Sequence, residues 1–238
     1  MNRINILSVL LFASILLFVK CSDKEEVISE NPDPSFKTGT FTDDRDGNVY
    51  GWVKIGDQTW FTENLRFKAD SGCWAYNNDN SLVARFGYMY NWEVASDTNT
   101  VPQGWHLPSK GEWITLLDTL SKMGLSIDTV FEGALAKSMV SADSWLPSLN
   151  YGCPGSADFN EFRNRTHFSA LAAGVMYADT TFGGKGYLGN WWTSLEKRGE
   201  AYFYRIGNGR TDVSQDKGSV FMGMSIRCVK DEDVTNVE

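Results

Sequence analysis

The sequence predicts an α+β domain: an antiparallel meander, then two helices, then strands separated by long loops. Three observations carry that prediction. Residues 39–62 place β-branched and aromatic residues around two glycine-containing turn pairs. Ser109 opens a capped amphipathic helix. Beyond residue 139, short apolar runs alternate with segments rich in Gly, Asp and Asn. The 238 residues, 42 % hydrophobic and 22 % charged, suit one sizeable domain with a real core and exclude wholesale disorder. A net charge of −8 without a basic stripe argues against a nucleic-acid partner.

The first segment does not belong to that fold. Asn2-Arg3 precedes a predominantly apolar run from Ile4 to Val19, followed by Lys20, Cys21 and the polar tract 22–26. This is the layout of a bacterial lipoprotein signal peptide over residues 1–20, with Cys21 as the lipidated first residue and the bilayer as partner through that anchor. Lys20 stands where a small residue is usual. The alternative, an uncleaved signal anchor, has an apolar run short of the roughly 20 residues that cross a bilayer. Residues 21–38 read as a flexible acidic tether with Pro32 and Pro34, and the acidic start resembles the surface-export signal of Bacteroidota-type lipoproteins. The expected location is the outer membrane, lipid-anchored and facing outward. Such a compartment is oxidising, so one disulfide among Cys73, Cys153 and Cys228 is expected, with the pairing open.

In the meander, Asp46-Gly47 and Gly56-Asp57 are hairpin turn pairs, and Val49–Ile55 and Gln58–Phe61 are the strands beside them. Asp44, Asp46 and Asn48 alternate as the first ligands of a calcium loop would. The glycine is misplaced and the twelfth position is Ile55, so a turn is the expectation and no metal is assigned. In "GWHLPSKGEW" (104–113), Ser109 and Glu112 form a capping box, and Trp113, Leu116, Leu117 and Leu120 make one buried helix face ending near Met123-Gly124. A second helix is expected around Phe131–Met139. Strands follow at 168–176, 190–194, 201–206 and 220–229, with 177–190 and 207–219 as loops and 232–238 as an acidic tail.

No catalytic constellation emerges. His106 reads as an architectural neighbour of the helix cap, and nothing near His167 makes it a base. "GKGYLG" (184–189) fits G-x-G-x-x-G, but a strand-like segment follows where a dinucleotide site needs a helix, so no cofactor is expected. Carboxylates abound without two being singled out for glycoside hydrolysis. Aromatics near loops, Tyr187 and Trp192 above all, with Tyr202 and Tyr204, are candidates for stacking on sugar rings.

Six blocks together carry a resemblance: residues 41–65, "FGYMYNWEVA" (86–95), 101–113, "FSALAAG" (168–174), "GNWWTS" (189–194) and "MSIRCVKD" (224–231). In this order they resemble the Fibrobacter succinogenes major paralogous domain, which implies a domain over 39–231. The resemblance further implies a C-type lectin-like fold, a twisted antiparallel sheet with two flanking helices and a long loop region. "GWHLPSKGEW" is also similar to the helix-opening block of formylglycine-generating enzymes, but Cys153 and Cys228 are not in that family's motif. The calcium motifs of sugar-binding lectins are absent, with "NWWTS" where one would fall. The reading is a non-enzymatic surface lipoprotein for extracellular recognition or adhesion, its ligand a glycan or a protein. The alternatives are an enzyme on the same fold, either a formylglycine-generating-enzyme-like oxidase or a glycan hydrolase, and a structural envelope component.

Overall fold

Two glycine turns and the strand formers around them build the first sheet. In the computed structural model, which describes residues 35–127 and 134–232, β1 (Lys37–Thr42), β2 (Val49–Ile55) and β3 (Gln58–Phe61) run as an antiparallel meander. Gly47 and Gly56 take positive φ, 73° and 59°, in the turns that join them. β1 starts at Lys37, so Lys37 and Thr38 belong to the sheet rather than to the tether. The signal segment, Cys21, the tether as far as residue 34 and residues 233–238 of the tail lie outside the described residues.

Short elements follow: β4 (Cys73–Trp74), α1 (Val83–Phe86), β5 (Met89–Tyr90), α2 (Trp92–Ser96) and β6 (Trp105–His106). Then comes α3 (Lys110–Lys122), which begins at the Ser109 cap and buries Trp113, Leu116 and Leu120. The Ser109 hydroxyl accepts from the Glu112 amide at 3.2 Å while the Glu112 carboxylate accepts from the Ser109 amide at 2.7 Å, satisfying two amides that the first helical turn leaves unpaired. Gly124, at φ 72°, takes the chain out of the helix.

The second helix is only α4 (Ala136–Met139), all four residues buried, and residues 131–133 of the expected span lie outside the described residues. β7 (Val175–Met176) pairs with β8 (Phe182–Gly183). β9 (Leu188–Lys197), β10 (Glu200–Gly207) and β11 (Val213–Ser219) form a separate antiparallel sheet. Arg198 and Gly199, at φ 60° and 80°, make the two-residue β9–β10 turn, whose double left-handed geometry matches strand twist. Finally β12 (Val229–Lys230) inserts between β3 and β6, giving the five-stranded order β1-β2-β3-β12-β6.

Both faces of that sheet are covered. On one, Tyr50, Phe61 and Trp105 share a core with Trp192, Phe203 and Ile226. On the other, Val53, Ile55 and Trp60 pack with Trp113, Leu116 and Leu120 of α3. Trp113 sits among rings, edge-on to Trp60 at 5.1 Å and stacked on Tyr204 at 4.7 Å.

Three expectations from the sequence change. Residues 168–174 form no strand, because left-handed φ at His167 (56°) and Ser169 (53°) breaks the ladder. Residues 220–228 are likewise irregular, and although Phe221 is exposed, Ser225 and Arg227 are buried along with Met224, Ile226 and Cys228, so the stretch 223–228 has no solvent face. Conversely, 213–219, read as loop, is β11, an edge strand paired only with β10 and polar because its other edge meets water.

The expected disulfide is also absent: Cys73, Cys153 and Cys228 are free thiols. Cys73 and Cys228 both pack on the first core, yet no two of the three sulfurs are bonded. Cys73 Sγ contacts the Ala69 carbonyl and Cys153 Sγ the Asn150 carbonyl, while Cys228 is fully buried in the first core. Burial pushes the Cys228 thiol well above its ordinary pKa, against the thiolate that exchange chemistry needs.

Candidate functional site

The turn-and-cap motif that launches α3 also shapes a cleft. Pro108 leads into the Ser109 cap, and β6 sets the residues just before it against the last strand, with His106 opposite Val229 and Trp105 opposite Lys230. A cleft of ≈ 880 Å³ opens there, its floor formed by Lys37, Trp52, Lys54 and Thr59 and its rim by Glu112 and Asp231.

His106 ties the rim together. Its Nε2 lies 2.6 Å from Glu112 Oε1 and its Nδ1 lies 2.7 Å from Asp231 Oδ1. The hydrogen bond to Glu112, then that to Asp231, raises the imidazole pKa against the opposing effect of burial. Burial works against the Glu112 charge, but the His106 and Ser109 bonds outweigh it and hold that carboxyl below its usual range. With both ring nitrogens bound to carboxylates, no lone pair is left to accept a substrate proton, so the arrangement acts as a clamp between α3 and the end of β12.

The floor comes from strand register. Lys37 faces Lys54 and Gly39 faces Trp52 across β1 and β2; with a two-residue repeat, these pairs share one side of the sheet. The Trp52 indole lies against Gly39 so closely that a Cβ there would come within 2.4 Å of Cζ2, and its Nε1 donates to the Thr40 carbonyl at 3.2 Å. Trp52 is partly buried, one side seated on β1 and the remainder lining the cleft.

The aromatic residues singled out in the sequence lie elsewhere. Trp192 is a correction: it is 0 % exposed, with Nε1 donating to the Tyr90 carbonyl at 2.7 Å, and no ligand reaches its ring. Tyr204 is buried on Trp113. Tyr187 is 52 % exposed, on the loop before β9. Its segment, "GKGYLG", leads into a strand. Asp46 accepts from the amide and side chain of Asn48 within the first turn, and His167 packs edge-on to Phe36 at 5.8 Å. Among the described residues no group of three or more His, Cys, Asp or Glu is placed to hold a metal ion.

A second cluster, unforeseen in the sequence, surrounds Lys137. Its fully buried ammonium donates to the Ser156 carbonyl and hydroxyl at 2.9 and 2.8 Å and to the carbonyl of Asp158, whose carboxylate lies at 3.3 Å. Burial lowers the lysine pKa, partly offset by Asp158. The cluster staples the 153–158 loop to α4. Only the register of β1 against β2 could have revealed the Trp52 platform, and nothing local to "LAKSM" marks Lys137 as buried.

A family model described as the Fibrobacter succinogenes major domain matches residues 53–230. No curated protein and no solved structure matches the chain. The matched span runs from the middle of β2 through the whole of β12, so it takes in α3 with its cap and most of both large sheets, and on that basis the chain belongs to the Fibrobacter succinogenes major domain family.

Proposed function

We propose that this is a non-enzymatic lipoprotein of the cell envelope, anchored in the outer membrane through Cys21 and facing outward, whose lectin-like domain binds a glycan or protein outside the cell. The observation that carries the reading is the cleft beside α3, with a tryptophan set close against a glycine of β1 and polar side chains around it. An aromatic surface among a few placed polar groups is the composition of a recognition site. The engaged ring nitrogens of His106 support binding over turnover. The pairing of the last strand with the opening meander, long loops between, supports the lectin-like reading of the fold. The order of a short positive start, apolar run and Cys21 supports the anchor.

Two measurements test the proposal. Radioactive palmitate should label the wild type and not C21S, and protease added to intact cells should remove the protein. A glycan array, with a pull-down against extracellular proteins, should yield a ligand whose binding falls in W52A. Turnover of a substrate with no ligand retained would overturn the recognition role.

A further inference from the structure

The floor of the cleft carries a cost that the fold does not require. Lys37 and Lys54 are exposed register partners on β1 and β2, so their Cβ atoms stand roughly 5 Å apart, and like charges directly opposite destabilise a sheet. Neither makes an ion pair with any described residue. Two of the cleft's carboxylates, Glu112 and Asp231, are taken up by His106. Asp57 and Glu232 also line the cleft, yet neither comes within ion-pair distance of the two lysines. The pair of positive charges therefore faces the cleft without a counterion among the described residues.

One row further along the same side lies the Trp52 platform. Two residues of strand separate the rows by about 7 Å, a spacing on the scale of adjoining sugar rings. A ring stacked on Trp52 would place the substituents of its neighbour over Lys37 and Lys54. Thr59, Gln103 and Thr115 line the same space and supply hydroxyl and amide groups.

We infer that the cleft binds an acidic polysaccharide, one ring lying on Trp52 and the anionic group of an adjacent ring held between Lys37 and Lys54. This rests on the recognition role proposed above and names its ligand class. Carboxylate and sulfate would satisfy the lysines alike, so the shared chemistry is an anionic sugar chain.

The test is titration calorimetry of the full chain with three probes: an oligogalacturonate, the same oligosaccharide as its methyl ester, and a sulfated heparin-type oligosaccharide. Binding to at least one anionic probe is expected, with the ester weaker by about tenfold or more, as for the loss of a charge-assisted contact. The K37Q/K54Q double variant should bind the anionic probe about tenfold more weakly and lose the distinction between acid and ester. W52A should lose both, and W52F, with melting curves for each variant, controls for folding. Which anionic probe binds separates carboxylate from sulfate. Equal binding of acid and ester, or undiminished binding by the lysine variant, overturns the inference and leaves a recognition role standing. Failure of all three probes overturns the inference too, and the array and pull-down then decide the recognition role independently.

Discussion

Arg227 is fully buried and makes no ion pair among the described residues. Its guanidinium instead donates to the carbonyls of Phe168 (2.6 Å) and Phe61 (3.2 Å) and to Asn64 Oδ1 (3.1 Å), over the Phe168 ring at 4.7 Å. Burial brings its pKa down to about 9. R227M should cost about 3 kcal/mol or more, because those carbonyls lose a donor they cannot replace with water, and a urea unfolding curve measures it. R227K should recover little, since an ammonium lacks the fork that reaches separate carbonyls. In the sequence, Arg227 alternates with Ile226 and Cys228, a pattern of one apolar face; burial on both sides comes from segments distant in the chain, which periodicity does not sense. His106 makes a different prediction. Its folded pKa is raised above the ordinary value of about 6.5. The clamp's stabilisation is therefore complete below that ordinary value and is lost as pH rises through the higher folded one. The melting-temperature advantage of wild type over H106Q should shrink as pH rises above about 6.5, and an advantage that stays constant as pH rises from there would remove the imidazolium from the account.

The capped helix is the element most open to sequence reasoning, because its determinants are local. Ser109, Glu112 and the Trp113–Leu116–Leu120 stripe fix where it starts and which side it buries. E112Q should lose about 1 kcal/mol through the weakened cap and should also release His106, so its loss and that of H106Q should not add. A double-mutant cycle measures the coupling. Strands set by distant partners were less legible. The segment 168–174 has the composition of a strand, but its backbone is bent by φ values that the surrounding core imposes. β11 has the composition of a loop, and it is a strand because β10 supplies a partner. The edge strand β1 contributes Gly39, whose missing side chain seats the Trp52 indole. G39A should displace that ring, costing about 1–3 kcal/mol and shifting tryptophan emission toward that of a solvated indole.

At the scale of the molecule, three free thiols mean that covalent cross-links contribute nothing to the stability of the described body. Reductant should leave the melting temperature unchanged, and alkylation after denaturation without reductant should label Cys73, Cys153 and Cys228; a mass consistent with a missing pair would overturn this. The sequence drew attention to disulfides because of the compartment it implied, yet compartment permits a bond without bringing two sulfurs together. The candidate site was legible only in half: its rim announces itself in "GWHLPSKGEW", whereas its floor is a pattern across strands. The placement of β12 has a further implication. A nascent polypeptide leaving the ribosome already contains β1, β2, β3 and β6 long before residues 229 and 230 arrive, but the strand that belongs between β3 and β6 is still missing. The main sheet therefore cannot close until residues 229 and 230 have emerged, and every earlier stage leaves β3 and β6 without the strand that joins them.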